Sequence, residues 1–429
     1  MRTPLFFWAA AVLTLGAASS AHAQVDLTTY ISVGDSLAAG VSSASLVAHH
    51  QQHSVPSLIA RQGGVTNFEQ PWVSAPGIPA ELMLTSLRPT VIVPRSGVGS
   101  PANVGLARPY NNLAVPGATL DDALNRASDD GGSHDLVLRG LGTQVQQAVG
   151  MRPSLLTVWI GNNDVLGAAV RGRAIDGVTL TPADVFRSRY SQLIATLRAT
   201  GARIVAANLP DATVIPYVTT LAPAVPDPTT GQPLMVDGQT VPLLGPAGPL
   251  PAQAHVTLAA SSLLAQGYGV PVSLGGRARI EGTTCVGCLP DEVVLDPSET
   301  QMISDRVRVN NQAIADICGA AGIPVVDLNG LLQRAHDTGL EVGGVTLNSD
   351  FLTGGLFSYD GIHLTDLGHA VAANEWIRTI NAAGGNLPLL SLADYMGLGA
   401  QGRPGAEFEW GLEAYRSLLE LFPPLDGGR

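Results

Sequence analysis

The chain has 429 residues, 45% hydrophobic and 14% charged, with 35 acidic against 23 basic residues and a formal charge of −12. This suits one large core or two domains and excludes disorder for most of the chain, since disordered chains are charge-rich and apolar-poor. Every basic residue is arginine, which excludes a Ser–Lys dyad, a Schiff-base lysine and a P-loop lysine, and an acidic chain with no dense basic run is a poor nucleic-acid binder.

In chain order, Arg2 precedes an uncharged apolar run over residues 5–15, and Ala21-His22-Ala23 fits the small-x-small cleavage rule. These features predict a signal peptide over residues 1–23, a mature chain from Gln24, and export to the periplasm or beyond. The run is too short to span a bilayer comfortably, and no later stretch is long and apolar enough. No integral membrane span is expected after cleavage.

Five short apolar runs, residues 27–33, 107–114, 155–160, 203–208 and 323–328, predict buried parallel strands. Helical patterns lie between them. Thr181-Pro182-Ala183-Asp184 predicts a helix start with a capping hydroxyl, a first-turn proline and an acid near the dipole. Phe186, Tyr190, Leu193 and Leu197 then recur at helical spacing before Gly201. Asp296-Pro297-Ser298-Glu299 opens a second helix, and Thr365-Asp366 a third running to about Ile380. Alternation of strand and helix predicts an α/β fold with a mainly parallel, five-stranded sheet.

Two stretches interrupt the alternation. Residues 62–106 and 211–295 are rich in proline or glycine, and both are expected to be long insertions over one face of the sheet within a domain spanning residues 24–384. The second holds a predicted apolar helix at 257–266. Residues 385–429 read as a C-terminal extension with a helix over 406–421.

Cys285 and Cys288 have the spacing of a redox or zinc motif. Zinc lacks further ligands nearby, and export favours a structural bond, so a small loop-closing disulfide is expected. Cys318 is expected to be buried as an apolar filler in a helix.

Four short blocks carry chemistry. Gly34-Asp35-Ser36-Leu37 follows the first predicted strand, where α/β sheets bind ligands. Glycine permits the tight turn that presents the Ser36 hydroxyl and N–H to one point. Gly161-Asn162-Asn163-Asp164 follows the third and offers uncharged amide donors suited to an oxyanion. Asp360-Gly361-Ile362-His363 places an acid three residues before a histidine. The acid can turn back onto Nδ1 and leave Nε2 as a base. Asn112-Leu113-Ala114-Val115-Pro116-Gly117 offers a further backbone N–H at Gly117.

These blocks, in this order, resemble the GDSL/SGNH hydrolase family. The resemblance implies a three-layer α/β/α flavodoxin-like fold, with Ser36 as nucleophile, His363 as base and Asp360 as its orienting acid. It also implies an oxyanion hole from the Ser36 and Gly117 N–H groups and the Asn163 amide. The family hydrolyses carboxylic esters without a cofactor, so small-molecule or lipid esters are the expected partners. Leu243, Leu244, Leu258, Leu263, Leu264 and Val270 make segment 211–295 apolar in places, which predicts a cover for an acyl chain and a lipase or acyl-esterase. A carbohydrate acetylesterase is the alternative, although aromatic residues are only 5% of the chain. A non-catalytic binding module would be expected to lack a triad member, and none is missing. A thiol–disulfide role for Cys285 and Cys288 is the weakest alternative.

The remaining histidines lack companions in sequence. His49, His50 and His53 have ligand-like spacing, but no acid or cysteine lies close in the chain, so a solvated polar helix face and no metal are expected. His369 reads as a packing or capping residue, and His134, His255 and His336 stand alone.

Overall fold

A computed structural model of the chain describes residues 25–87, 90–129, 131–397 and 408–422; the predicted signal peptide lies outside them. Strands β1 (Tyr30–Gly34) and β2 (Leu155–Trp159) are buried along their whole length, as expected of strands covered on both faces. They pair in parallel, with Tyr30 opposite Leu155 and Gly34 opposite Trp159. β3 (Arg203–Ala207) pairs with β2, and β4 (Val325–Val326) with β3, giving a parallel sheet of order β1-β2-β3-β4.

The sheet has four strands where five were expected. Residues 107–114 meet β1 through a single bridge, Asn112 to Ser32. The cause is a competing acceptor from a distant part of the chain: the Asn111 and Asn112 N–H groups both donate to the Glu69 carbonyl, at 2.7 and 3.1 Å. Two successive donors on one acceptor break the alternation a ladder needs. The segment still runs beside β1, through Leu113 N to Ser32 O at 2.9 Å and Val115 N to Gly34 O at 3.1 Å. Counted in that place, the order across the sheet is the flavodoxin order 2-1-3-4-5. Its connections diverge at the carboxyl ends of β1 and β2 and leave a crevice there.

Helices form two groups. Helix α2 (Ala183–Arg198) packs against α3 (Pro297–Ala321), Leu120–Asn125 and Gln144–Gly150, whereas α4 (Asp366–Ala382) packs against Val55–Gln62. In α2, Phe186, Tyr190, Leu193 and Leu197 are fully buried, each contributing roughly 1.5–3 kcal/mol of transfer free energy. Helix α3 begins with the expected acidic cap: Asp296 accepts from the Ser298 and Glu299 N–H groups, and Glu299 bonds back to Asp296 N. Thr365 caps α4 by accepting from Gly368 N at 3.0 Å. Thr181 does not cap α2. Pro182 occupies that place, and the Thr181 hydroxyl donates instead to the buried Asp164 carboxylate at 2.7 Å. A carboxylate in the core needs that donor more than an accessible helix end does.

Between β3 and α3 the chain forms short two-stranded hairpins, including Arg279–Glu281 with Thr284–Val286. The Cys285–Cys288 disulfide closes the end of that hairpin, and Cys318 is buried in α3. The expected apolar helix appears as a short turn and Ser261–Ala265.

Leu82–Leu87 and Thr90–Pro94 form an antiparallel hairpin, which Phe408–Trp410 extends as a parallel third strand. The C-terminal helix begins later than expected, at Leu412, and ends at Leu421; residues 406 and 407 lie outside the described residues. The Ser261 hydroxyl bonds to both the N–H and the carbonyl of Trp410 at 2.9 Å, and the Trp410 indole donates to the Tyr359 carbonyl at 3.0 Å. Among the described residues, no helix is long and apolar enough to cross a membrane.

Candidate active site

Ser36 is the first residue of helix α1 (Ser36–Ala39), directly after β1. A Cβ on Gly34 would lie 2.6 Å from Ala38 Cβ and 2.7 Å from the Trp159 carbonyl. Glycine therefore lets the turn after β1 close against the end of β2. Asp35 caps α1 by accepting from Leu37 N at 3.2 Å, and its other oxygen accepts from the Asn162 side-chain amide at 2.8 Å. One carboxyl thus joins the Ser36 turn to the loop after β2. Burial pushes the Asp35 pKa up to about 7. As a first-turn residue, Ser36 has an N–H without an intrahelical acceptor, the property an oxyanion donor requires.

Gly117 lies on a loop, and Asn163 is the first residue of the adjoining helix Asn163–Val170. Gly117 has a φ of 79°, in the left-handed region that favours glycine. The Asn163 amide donates to the Ala118 carbonyl at 2.8 Å, which leaves its second N–H for another acceptor. Asp164 accepts from Leu120 N at 2.9 Å and from the Thr181 hydroxyl, and so holds the end of the Gly117 loop to the helix that Asn163 opens. Burial raises the Asp164 pKa to about 6.

Asp360 and His363 are fully buried. The loop carrying them is closed by Ser358 N to His363 O and Gly361 N to Ser358 O, both 2.9 Å. Asp360 Oδ1 accepts from Ile362 N and His363 N at 2.8 Å and from the Ser358 hydroxyl at 3.2 Å. Its Oδ2 accepts from Ala44 N at 2.6 Å and meets His363 Nδ1 at 2.8 Å. Burial alone would raise the Asp360 pKa. The His363 charge and these donors outweigh it and hold the carboxyl below its ordinary value. An ionised Asp360 keeps the proton on Nδ1. His363 Nε2 is then the basic nitrogen, and it is buried without a hydrogen-bond partner.

Ser36 and His363 line one cavity, without a hydrogen bond between them. Its other walls are mostly apolar: Leu209, Ala212 and Ile215 after β3, Leu328, Leu331, Leu332 and Ala335 from Leu328–Asp337, and Leu356, Phe357, Ile362 and Leu364 around the histidine loop. The apolar residues singled out in segment 211–295, Leu243 to Val270, do not line it. Leu243, Leu244 and Leu258 are buried, and Leu263, Leu264 and Val270 pack on the hydrophobic core. The wall comes instead from the start of that segment and from Leu328–Asp337, whose apolar face meets α4.

Gly117 and Asn163 border a second, smaller cavity with Thr119, Arg171 and Phe422. Phe422 is the residue that sequence reasoning missed. Its ring stacks on His363, with centroids 5.7 Å apart at 12°, and its carbonyl accepts from Arg171 at 2.8 Å. A lone phenylalanine after a helix carries no local signal of such a place.

Of the other histidines, His369 is packed inside α4, where burial lowers its pKa to about 4. His134 and His336 have partners that the sequence did not reveal, Asp129 at 2.9 Å and Ser349 at 3.1 Å. His49, His50 and His53 also gain acids: His49 and His50 lie against Glu81, and His50 and His53 against Asp366. The expectation of an acid-free solvated face is corrected. The acids come from distant parts of the chain.

Comparison with curated protein sequences gives no match. Among solved structures, the chain is similar to an SGNH hydrolase from Slackia heliotrinireducens at 11% identity and a TM-score of 0.33, covering 82% of this chain and 97% of that one. Phospholipase A1 from Streptomyces albidoflavus gives 13% identity and a TM-score of 0.32 over 82% and 98%. An acetyl xylan esterase gives 12% and 0.30 over 82% and 100%. The family match is the broader finding: across residues 30–376, the chain belongs to the GDSL-like lipase/acylhydrolase family.

Proposed function

We propose that the chain is an exported serine esterase of the acyl-ester or lipase type, with Ser36 as nucleophile, His363 as base and Asp360 as its orienting acid. The observation that carries this reading is the pairing of His363 Nδ1 with Asp360 at 2.8 Å, with Nε2 unpartnered beside the cavity that Ser36 also lines. Ser36 Oγ attacks the ester carbonyl carbon, and its proton passes to Nε2. The carbonyl oxygen becomes an oxyanion beside the N–H groups of Ser36 and Gly117 and the Asn163 amide. Collapse of the tetrahedral intermediate expels the alcohol, which takes the proton from His363 and leaves an acyl-enzyme. Water then repeats the sequence and releases the acid. The apolar cavity favours an acyl chain over a sugar. Export is read from residues 1–23, and the Cys285–Cys288 disulfide suits an oxidising compartment.

The test is hydrolysis of p-nitrophenyl esters from acetyl to palmitoyl, beside an acetylated sugar. Ser36→Ala should lose several powers of ten in rate with an unchanged fold. Near-full activity in that variant would refute the assignment, and a preference for the acetylated sugar would replace the acyl-ester reading.

A further inference from the structure

His49 and His50 are adjacent in sequence, and both aim Nε2 at one oxygen of Glu81. The distances to Glu81 Oε1 are 3.4 Å from His49 and 3.2 Å from His50. The three ligand atoms lie within 4.8 Å of one another. Metal–ligand bonds of 2.0–2.2 Å in a tetrahedron put ligand atoms about 3.3–3.6 Å apart, so the nitrogen–oxygen edges of 3.4 and 3.2 Å lie close to that geometry.

The outer contacts have the form that metal-binding imidazoles use. His50 Nδ1 lies 2.7 Å from Asp366 Oδ1, a carboxylate–histidine pair that holds the Nδ1 proton, so an ion that displaces the Nε2 proton, which otherwise faces Glu81, meets the Nε2 lone pair. Arg95 Nε holds the second Glu81 oxygen at 3.1 Å, which orients the carboxylate while placing a positive charge on the far side. Glu81 is buried, whereas the His49 side chain is 46% exposed. One side of the cluster is therefore open to solvent, for entry and for a water ligand. His53 Nδ1, 3.0 Å from Asp366 Oδ2, completes the surroundings.

We propose that His49 Nε2, His50 Nε2 and Glu81 Oε1 bind a divalent transition-metal ion of the zinc class, with water in the fourth position. Two imidazoles and one carboxylate suit zinc or cobalt, and magnesium and calcium prefer all-oxygen sets. The ion does not touch the proposed reacting atoms. It ties Glu81, which immediately precedes the Leu82–Leu87 strand, to Ala48–Gln51 and, through Asp366, to the start of α4, three residues after His363.

The experiment uses the full chain, freed of metal by a chelator and titrated with zinc chloride against a chromogenic zinc indicator. The expected result is one tight equivalent per chain, unaffected by excess magnesium, and lost in His49→Ala. Asp366→Asn should weaken it about 10–100-fold, and His255→Ala, at a histidine outside the cluster, should bind as wild type. Cobalt in the same site should give the intense visible absorption of a four-coordinate ion. Glu81→Gln serves as a second ligand variant, with circular dichroism to check folding. No tight equivalent in the wild type would overturn the proposal, as would one that survives in both folded ligand variants.

Discussion

Asp360→Asn tests how the buried acid acts, because the carboxylate has no exposed edge and each of its oxygens has defined donors. The Oδ1 side accepts from Ile362 N, His363 N and the Ser358 hydroxyl. An asparagine carbonyl is retained best there, since it satisfies three donors. Its NH₂ then falls in the Oδ2 position, against Ala44 N–H and His363 Nδ1. Toward Ala44 two donors meet, and one buried N–H loses its acceptor at a cost of about 1–3 kcal/mol. Toward His363 the amide donates, so the imidazole accepts at Nδ1 and carries its proton on Nε2. The base nitrogen is then blocked. The expected loss in kcat is about 10⁴-fold, or about 5 kcal/mol of transition-state stabilisation at 1.36 kcal/mol per factor of ten. The assay is steady-state hydrolysis of p-nitrophenyl acetate beside thermal unfolding followed by circular dichroism. A folded variant within about tenfold of the wild-type kcat would refute the tautomer argument.

Asn163→Ala should lower kcat by roughly 10²–10³, the cost of one oxyanion donor, and a rise in KM at constant kcat would assign Asn163 to substrate binding instead. Asp164→Asn keeps both hydrogen bonds, because the amide oxygen can accept from Leu120 N and the NH₂ can donate to the Thr181 hydroxyl. With its pKa raised from 3.8 to about 6 by burial, Asp164 lowers stability as pH rises from about 4 to 6, and the deficit persists above that. The shift of about two units corresponds to at most about 3 kcal/mol, so the variant should melt at a higher temperature at pH 8 with little change at pH 3.5; equal midpoints at pH 8 would sink this account. Phe422→Ala should raise the kcat/KM ratio of bulky over small esters by roughly tenfold, the scale of a changed pocket wall, and an unaltered ratio would remove Phe422 from the substrate's path.

The legible parts of the site were those encoded within a few residues. Ser36 and Asn163 open helices just after sheet strands, Gly117 lies in the loop after a sheet-forming segment, and Asp360 reaches His363 within one turn. The partners that hold these loops together are hydrogen bonds across long stretches of chain. Asp35 to Asn162 spans 127 positions, and Leu120 to Asp164 spans 44. No periodicity reports such pairings. The same limit hid Glu81 and Asp366 from the histidines at 49, 50 and 53, and Phe422 from His363. The missing fifth strand has a different origin. Residues 107–114 have the right apolar content, but Glu69 captures two successive N–H groups there, a tertiary competition that β propensity does not register.

The seat of Asp360 has a consequence for the order in which the protein assembles. Its donors include Ala44, 316 positions away, and beside it Ser43 N donates to the Ser358 hydroxyl across 315 positions. A carboxylate cannot leave water at low cost until those donors arrive. Each such contact also carries the entropy of closing a very long loop. The acid's pocket is therefore among the last parts of the molecule to dehydrate during folding. On heating, separation of the residues near 44 from those near 360 should rehydrate the carboxylate and silence the histidine while the central sheet is still intact. Inactivation would then run ahead of unfolding, and the midpoint for lost turnover would fall below the midpoint for lost secondary structure.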